Sequence, residues 1–336
     1  MLHRLLTNSC MGEWQQCPRK YLYRYELGFV QVYTPEALSF GTAMHACLEA
    51  YWRARKARAA DPLAAGLAAM PGDLDAFEAA KLRVMVRRYA RRWDRIRCRV
   101  LAVEAGFEVP LRDPVTGVPS VFWKRAGKID LVLQDTGGAI VLVEHKGSSE
   151  EVGSGSDYNR RLFLDSQLPT YKEGALSLGY EISRIVYDVL RKPQQRPLLA
   201  TPEADRKYTK VTKKNPVSRL HKGQRDHAET PAEYEARLES IADIDPEDLV
   251  NLTVVHRFGH EMNAFADDVW DQAEMMRAAV QTKRYPRYSK NCFRFGKACA
   301  YLGVCEGRES IDNPLAFTRL ADVHPELERA PGVGEG

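Results

Sequence analysis

A chain of 336 residues, 44% of them hydrophobic, can bury a core as one large domain or two modest ones. Its formal net charge of +4 permits a nucleic-acid partner without demanding one, because local patches matter more than the total. No apolar run approaches the roughly 20 residues that span a bilayer, and the opening MLHRLLTNSCMGEWQQ lacks a signal peptide's apolar stretch; the expectation is a soluble, cytoplasmic protein without a membrane partner.

In chain order, the spacing of His45, Leu48, Tyr51, Trp52 and Arg55 predicts a helix over 41–59. The Ala/Gly/Pro-rich stretch 61–74 reads as a break. A second helix is expected over about 75–98, with Leu82, Met85, Tyr89, Trp93 and Ile96 on one face and arginines on the other. Strands follow at 100–111 and 121–134. The turn signal DTGG at 135–138 leads into a third strand at 139–146. A Gly/Ser-rich loop (147–156), a helix near 165–178 and a strand at 181–192 complete an α/β pattern with a mixed sheet. Residues 193–227 are polar and basic and read as a loop or insertion. Helices are expected in PAEYEARLESI and over about 257–281, and 311–336 reads as a polar tail. The expected organisation is an N-terminal helical region (1–99), a core (100–192), the basic loop (193–227), a C-terminal helical region (228–310) and the tail. No GxxxxGK[ST] loop occurs, so no phosphate-loop motor is present.

Chemistry concentrates where two of these strands end. If the strands form a hairpin across DTGG, Asp130 comes near Glu144-His145-Lys146. Two adjacent carboxylates repel unless a cation lies between them, and hard oxygen ligands suit Mg²⁺ or Mn²⁺. Glu144 and Lys146 are two apart and share a strand face. Lys146 can therefore reach a water or phosphate held by the same cation. That equipment suits phosphodiester hydrolysis, although ExK by itself is a weak pattern that chance surface charges also produce.

Gly127-Lys128-Ile129-Asp130, Glu144-His145-Lys146 and Gln167-Leu-Pro-Thr-Tyr171 resemble the G-x-x-D, (D/E)-x-K and Q-x-x-x-Y motifs of RecB-like PD-(D/E)XK nucleases. Gly41-Thr-Ala-Met-His45 is similar to the family's upstream G-x-x-x-H. The resemblance implies a restriction-endonuclease-like α/β core, with metal ligands at His45, Asp130, Glu144 and the backbone carbonyl of His145. Lys146 would be catalytic, and Gln167 and Tyr171 would sit one helical turn apart at the site. Two departures are visible: Ile129 stands where the superfamily name has proline, and glutamate replaces the aspartate common before x-K in this branch.

Seven cysteines in a reducing compartment are a poor disulfide framework and a plausible metal set. Cys292, Cys299 and Cys305 fall within fourteen residues, and a tetrahedral or cubane site needs a fourth ligand. Cys17, in CPRKYLYRY, is the best candidate, with Cys10 the alternative. Cys47 and Cys98 read as ordinary thiols. The arrangement resembles the iron–sulfur subset of RecB-like nucleases, which includes AddB-type domains, CRISPR-associated single-module exonucleases and phage relatives. It implies a [4Fe-4S] cluster on a helical lobe; by residue type alone, Zn²⁺ fits equally. Joining Cys17 to Cys292 closes a loop of about 275 residues, a closure worth on the order of 5 kcal/mol in the chain-entropy model.

Nine basic residues and one acid lie between Lys81 and Arg99. That imbalance makes Arg87, Arg88, Arg91 and Arg92 the expected phosphate contacts. Tyr21, Tyr23 and Tyr25 offer either stacking surfaces for bases or packing around the cysteines. The resemblance implies a metal-dependent DNA exonuclease acting on ends or single strands in recombination, repair, phage DNA metabolism or CRISPR adaptation. A helicase, recombinase or CRISPR integrase would be its partner. The alternatives are a non-catalytic DNA-binding or scaffold subunit and an enzyme acting on RNA.

Overall fold

The computed structural model describes residues 4–33, 36–153, 155–211, 217–244, 250–255, 259–294 and 296–327. The chain opens with β1 (Arg4–Leu6), α1 (Asn8–Gln16), α2 (Pro18–Tyr21), one π-helical turn and β2 (Phe29–Gln31). Three helices follow: α3 (Glu36–Lys56), α4 (Pro62–Ala68) and α5 (Ala76–Trp93). Then come β3 (Cys98–Arg112), β4 (Pro119–Asp135), β5 (Ile140–Ser148), α6 (Asp157–Leu162), α7 (Gln167–Ser177) and β6 (Arg184–Arg191). The C-terminal part holds α8 (Pro231–Ile244), β7 (Val250–Val255), α9 (Gly259–Thr282), the short pair β8 (Phe293–Arg294) and β9 (Lys297–Ala298), α10 (Leu302–Glu306) and β10 (Phe317–Arg319).

Six strands form one mixed sheet, as expected. β4 is its spine: β3 pairs antiparallel along one edge, while β1 (parallel) and β5 (antiparallel) share the other. β6 continues parallel to β5, and β7 closes the sheet antiparallel to β6. The DTGG turn forms as read: the Asp135 carboxylate accepts the Gly137 and Ala139 amides at 2.9 Å each, and Gly138 takes φ +84°. Two cores flank the sheet. Trp52, Met85 and Tyr89 of α3 and α5 pack with Leu131, Val143 and Leu190. Leu168, Tyr171 and Ala175 of α7 pack with Val132, Leu142 and Tyr187. No helix of the described residues is long and apolar enough to cross a membrane.

Two expectations are corrected. The break at 61–74 contains α4, because Asp61 caps it by accepting the Ala64 amide at 2.9 Å and Pro62 suits the first turn. Gly66 then lies so close to α3 that a Cβ would meet the Cys47 carbonyl at 3.0 Å. The tail reading fails over 311–327: β10 pairs with β2, Phe317 is buried, and the Glu326 carboxylate accepts the Thr7 hydroxyl at 2.9 Å. The described residues of the basic stretch 193–227 form a loop with one 3-10 turn (Glu203–Asp205) and an isolated bridge between Tyr208 and Leu220; residues 212–216 within it lie outside the described residues. β7, which no periodicity signalled, adds the last strand.

α7 is held against the sheet by two glycines. A Cβ on Gly174 would fall 2.4–2.5 Å from the Phe107 ring, and one on Gly127 would fall 2.7 Å from it. Alanine in a helix normally gains about 1 kcal/mol over glycine, but overpacking typically costs about 1–3 kcal/mol. Gly174→Ala should therefore lower the unfolding free energy by a net ~1 kcal/mol, seen as a lower urea midpoint; a raised midpoint would show that Phe107 yields freely.

Candidate active site

β4 and β5 deliver the carboxylates. Leu131 pairs with Val143, so Asp130 and Glu144 stand opposite one another one step beyond that pair. The His145 amide donates to Asp130 Oδ2 at 2.8 Å, and His145 Nδ1 lies 3.5 Å from the same oxygen. From α3, His45 Nδ1 approaches it to 3.8 Å. Lys146 Nζ donates to Glu144 Oε1 at 2.8 Å and also to Gln167 Oε1, and Gln167 Nε2 donates to the Tyr171 hydroxyl at 2.6 Å. The structure thus gathers His45, Asp130, Glu144, His145, Lys146, Gln167 and Tyr171 from α3, β4, β5 and α7 into one place.

Behind the site, His145 Nε2 meets the Tyr89 hydroxyl at 2.7 Å, and that oxygen accepts Trp52 Nε1 at 2.5 Å. The indole can only donate, so the buried aromatic pair of α3 and α5 fixes the ring that backs Asp130.

Burial and charge set the carboxylates apart. Burial alone would raise Asp130, but the His45 and His145 rings and the His145 amide overcome it and hold the acid at about 2. Glu144 is pushed up to about 8, first by burial and then by Asp130, with Lys146 only partly offsetting. Burial lowers His45. Glu144 Oε2 is buried and has no hydrogen-bond partner among the described residues. An unsatisfied buried carboxylate oxygen beside a second carboxylate is what a cation would relieve.

The residue the sequence did not point to is Glu104. On β3 its neighbours Val103 and Ala105 pair with Leu131 and Ile129, which sets Glu104 across from Asp130. Its backbone is left-handed at φ +50°, and among the described residues it is the only non-glycine inside a strand to be so. Regular strands alternate faces. Here Val103 and Ala105 pack into different cores, as do Leu131 and Ile129, so the alternation breaks at Glu104 and Asp130. Glu104 pairs with Lys128 at 2.8 Å and is raised to about 7, first by burial and then by Asp130. Ligand atoms of His45, Glu104 and Asp130 all lie within 4.8 Å of one another, close enough to hold a metal ion. The tightest group therefore contains Glu104 rather than Glu144. Its sequence signal was faint: one acid in the apolar run VLAVEAGF.

Cys17, Cys292, Cys299 and Cys305 line one cavity of about 350 Å³. Cys17 Sγ accepts the Tyr288 amide at 3.4 Å, and burial raises the Cys299 and Cys305 thiols. Cys10 is buried elsewhere, in the core beneath α1. The tyrosines pack rather than protrude: Tyr21 stacks on Tyr25 and Tyr285, and Tyr23 lies 5.2 Å from Tyr301.

The arginine face of α5 is not an open surface. α8 docks on it through buried Tyr234 and Leu238, packed against Ala80 and Val84. Arg87 pairs with Glu235 at 2.5 Å, and Arg88 Nη2 donates to the Glu239 carbonyl at 3.0 Å. Arg91 lies 3.9 Å from the Glu239 carboxylate, and Arg92 is also engaged. Arg87 and Arg88 are thus engaged within the chain, while Arg91 keeps 53% of its side chain exposed.

A family model described as the PD-(D/E)XK nuclease superfamily matches residues 9–306. The chain belongs to the PD-(D/E)XK nuclease superfamily. A solved structure titled "Crystal structure of SSO0001" is 11% identical, with 62% of this chain and 76% of that chain covered at a TM-score of 0.22, a likeness too slight to bear on activity. No curated protein matches the chain.

Glu144 titrates with a readable sign. Its folded value of about 8 exceeds the ordinary glutamate value, so between roughly pH 4.5 and 8 the folded chain holds a proton that the unfolded chain has lost, and stability falls as pH rises through that window. Metal-free Glu144→Gln should be more stable than the parent at pH 9, by roughly 1–4 kcal/mol, with the gap closing at pH 5. Calorimetry showing a gap that does not vary with pH would refute the assignment.

Proposed function

We propose that this chain is a divalent-cation-dependent deoxyribonuclease of the RecB-like branch, working as an exonuclease on DNA ends or single strands. Membership of a nuclease superfamily supplies the reaction class. The observation that carries the reading to this site is the union of Asp130, Glu144 with its unsatisfied buried oxygen, and Lys146. A cation fits that donor set, because two buried carboxylates otherwise conflict and hard oxygens suit Mg²⁺ or Mn²⁺. His45, Asp130, Glu144 and the His145 carbonyl would hold it. When bound, it supplies Lewis-acid neutralisation of phosphoryl charge and a more acidic water.

The protein's own part follows from the contacts. His145 fixes one face of Asp130 through both its amide and its ring. Lys146, held between Glu144 and Gln167 and kept above its ordinary value because the charges of Glu144, Asp165 and Asp130 outweigh burial, presents a permanent ammonium to the phosphate or the attacking water. Gln167 and Tyr171 bridge from Lys146 toward the backbone of a bound strand. Asp130→Ala or Lys146→Ala should lose cleavage of labelled DNA by on the order of 100-fold or more, with EDTA silencing the parent. Parallel single- and double-stranded DNA and RNA substrates test the substrate class. Turnover that survives in either variant would sink the roles, and cleavage of RNA alone would overturn the deoxyribonuclease reading.

For the cysteines we propose a [4Fe-4S] cluster. A zinc ion would draw four sulfurs to about 3.8 Å from one another, given Zn–S bonds of about 2.3 Å. Among the described residues the cysteine sulfurs form no group closed within 4.8 Å, yet all four face one cavity. The cavity of about 350 Å³ that they line has room for an inorganic core larger than a single ion. Anaerobically purified protein should be brown, and Cys299→Ala should lose both colour and several degrees of Tm. A colourless preparation holding one zinc per chain would refute the cluster.

A further inference from the structure

Residues 206–225 hold eight Lys and Arg and no Asp or Glu, in a chain whose formal net charge is only +4. The rest of the chain is therefore net acidic, and positive charge is concentrated in this one stretch. It follows the end of β6, where the Lys192 amide donates to the Ser148 carbonyl at 2.7 Å, two residues beyond Lys146. Its base is fixed. Glu229 is buried, accepts the Leu198 amide at 2.8 Å and takes Arg237 on its two oxygens at 2.7 and 2.8 Å. Further out, two segments run antiparallel as a narrow ribbon. The Thr209 amide donates to the Arg219 carbonyl at 2.8 Å and the His221 amide to the Lys207 carbonyl at 2.9 Å, around the Tyr208–Leu220 bridge. Gln224 ties the segments again, donating to the Asp205 carbonyl at 2.8 Å and accepting the Lys207 amide at 2.6 Å.

Two of the basic side chains serve this arm itself. Arg206 donates to the Thr201 and Asp226 carbonyls at 3.0 Å each, and Arg225 pairs with Glu233 at 2.8 Å. Lys207, Lys210, Arg219 and Lys222 are exposed and pair with no carboxylate among the described residues. Alternation along the paired segments sets Lys207 and Arg219 on one face, and Lys210 with the exposed Tyr208 on the other. Charge on both faces suits a groove with a phosphate wall on each side better than a flat anionic surface such as a membrane. The major groove of a duplex admits a two-stranded ribbon, and the duplex carries one negative charge per about 1.7 Å of its axis. We propose that this arm grips duplex DNA by its phosphate backbone, with Lys207, Lys210, Arg219 and Lys222 as the contacts and no dependence on base sequence. The choice of DNA as partner rests on the nuclease reading above. The grip holds the duplex beside the end of the sheet that bears Lys146, so the enzyme stays on its substrate between cuts.

Equilibrium binding of the full chain to a short fluorescein-labelled DNA duplex, in EDTA and over a range of KCl, reads the arm directly. Changing the four residues together, Lys207→Gln, Lys210→Gln, Arg219→Gln and Lys222→Gln, should flatten the slope of log affinity against log salt by about 3–4. At about 0.1 M KCl that variant should bind about 10-fold or more weakly than the parent. Its Tm should match the parent's, because the four side chains are exposed, so the loss is not one of folding. The charge-keeping set Lys207→Arg, Lys210→Arg, Arg219→Lys and Lys222→Arg should restore the slope. A glutamine variant with the parent's slope and affinity would overturn the proposal. So would vesicles of phosphatidylserine and phosphatidylcholine that bind the parent and not the glutamine variant while the duplex binds both equally, an outcome that assigns the arm to a membrane. A parent that grips the duplex through these residues yet cleaves no nucleic acid with Mg²⁺ or Mn²⁺ would defeat the nuclease reading and leave the arm standing.

Discussion

Two carboxylates buried side by side are the constraint around which this molecule is arranged. The β4–β5 hairpin sets Asp130 opposite Glu144, and the surroundings resolve the conflict by treating them differently. Asp130 receives an amide and faces two imidazoles, and stays ionised. Glu144 has one ammonium and an empty-handed oxygen, and is driven toward its protonated form. The helices supply that asymmetry: α3 brings His45, and α3 with α5 brings the Trp52–Tyr89 pair that orients His145. α7 brings Gln167 against Lys146. Loosening any of these elements would release a charge that the core cannot tolerate unpaired.

The close approach of α7 shows how the packing serves the chemistry. Gly127 lies three residues before Asp130, and Gly174 lies three residues after Tyr171. Both leave room for the Phe107 ring, which sits edge-on to Tyr171 at 5.9 Å. The motif glycine on β4 is thus a packing residue, and the distance from α7 to the sheet sets how far Gln167 and Tyr171 reach.

Much of the site was legible because its signals are local. Asp130, Glu144 and Lys146 lie on two strands joined by a strong turn, and Gln167 and Tyr171 are one helical turn apart. Glu104 was not legible: it joins the site through a strand register, 26 positions from Asp130, and through a backbone kink with no residue-type signature. The arginines of α5 show that composition counts charge without saying what faces it. Glu235 and Glu239, four apart on α8, are the matching partners, and their spacing was visible in the sequence. The stretch 311–327 looked like a tail because its order comes from pairing with β2 and α1, contacts some 290 residues distant that no window can register.

Those distant pairings have a kinetic consequence. β1 lies beside the middle of β4, Trp123 Nε1 donates to the Ala273 carbonyl at 2.9 Å, and Tyr301 reaches the Phe29 carbonyl at 2.6 Å. Leu6, Trp14, Trp123, Val269 and Met276 make one core from segments spread over nearly the whole length. Nucleation can begin in the helices and the central hairpin, where contacts are near in sequence, but this core must wait for the slow search that brings the far segments home. During that interval the edge of β4 that β1 covers would lie open, a template for mispairing with another copy. β1 (Arg4–Leu6) thus acts as a seal on the sheet, fitted last.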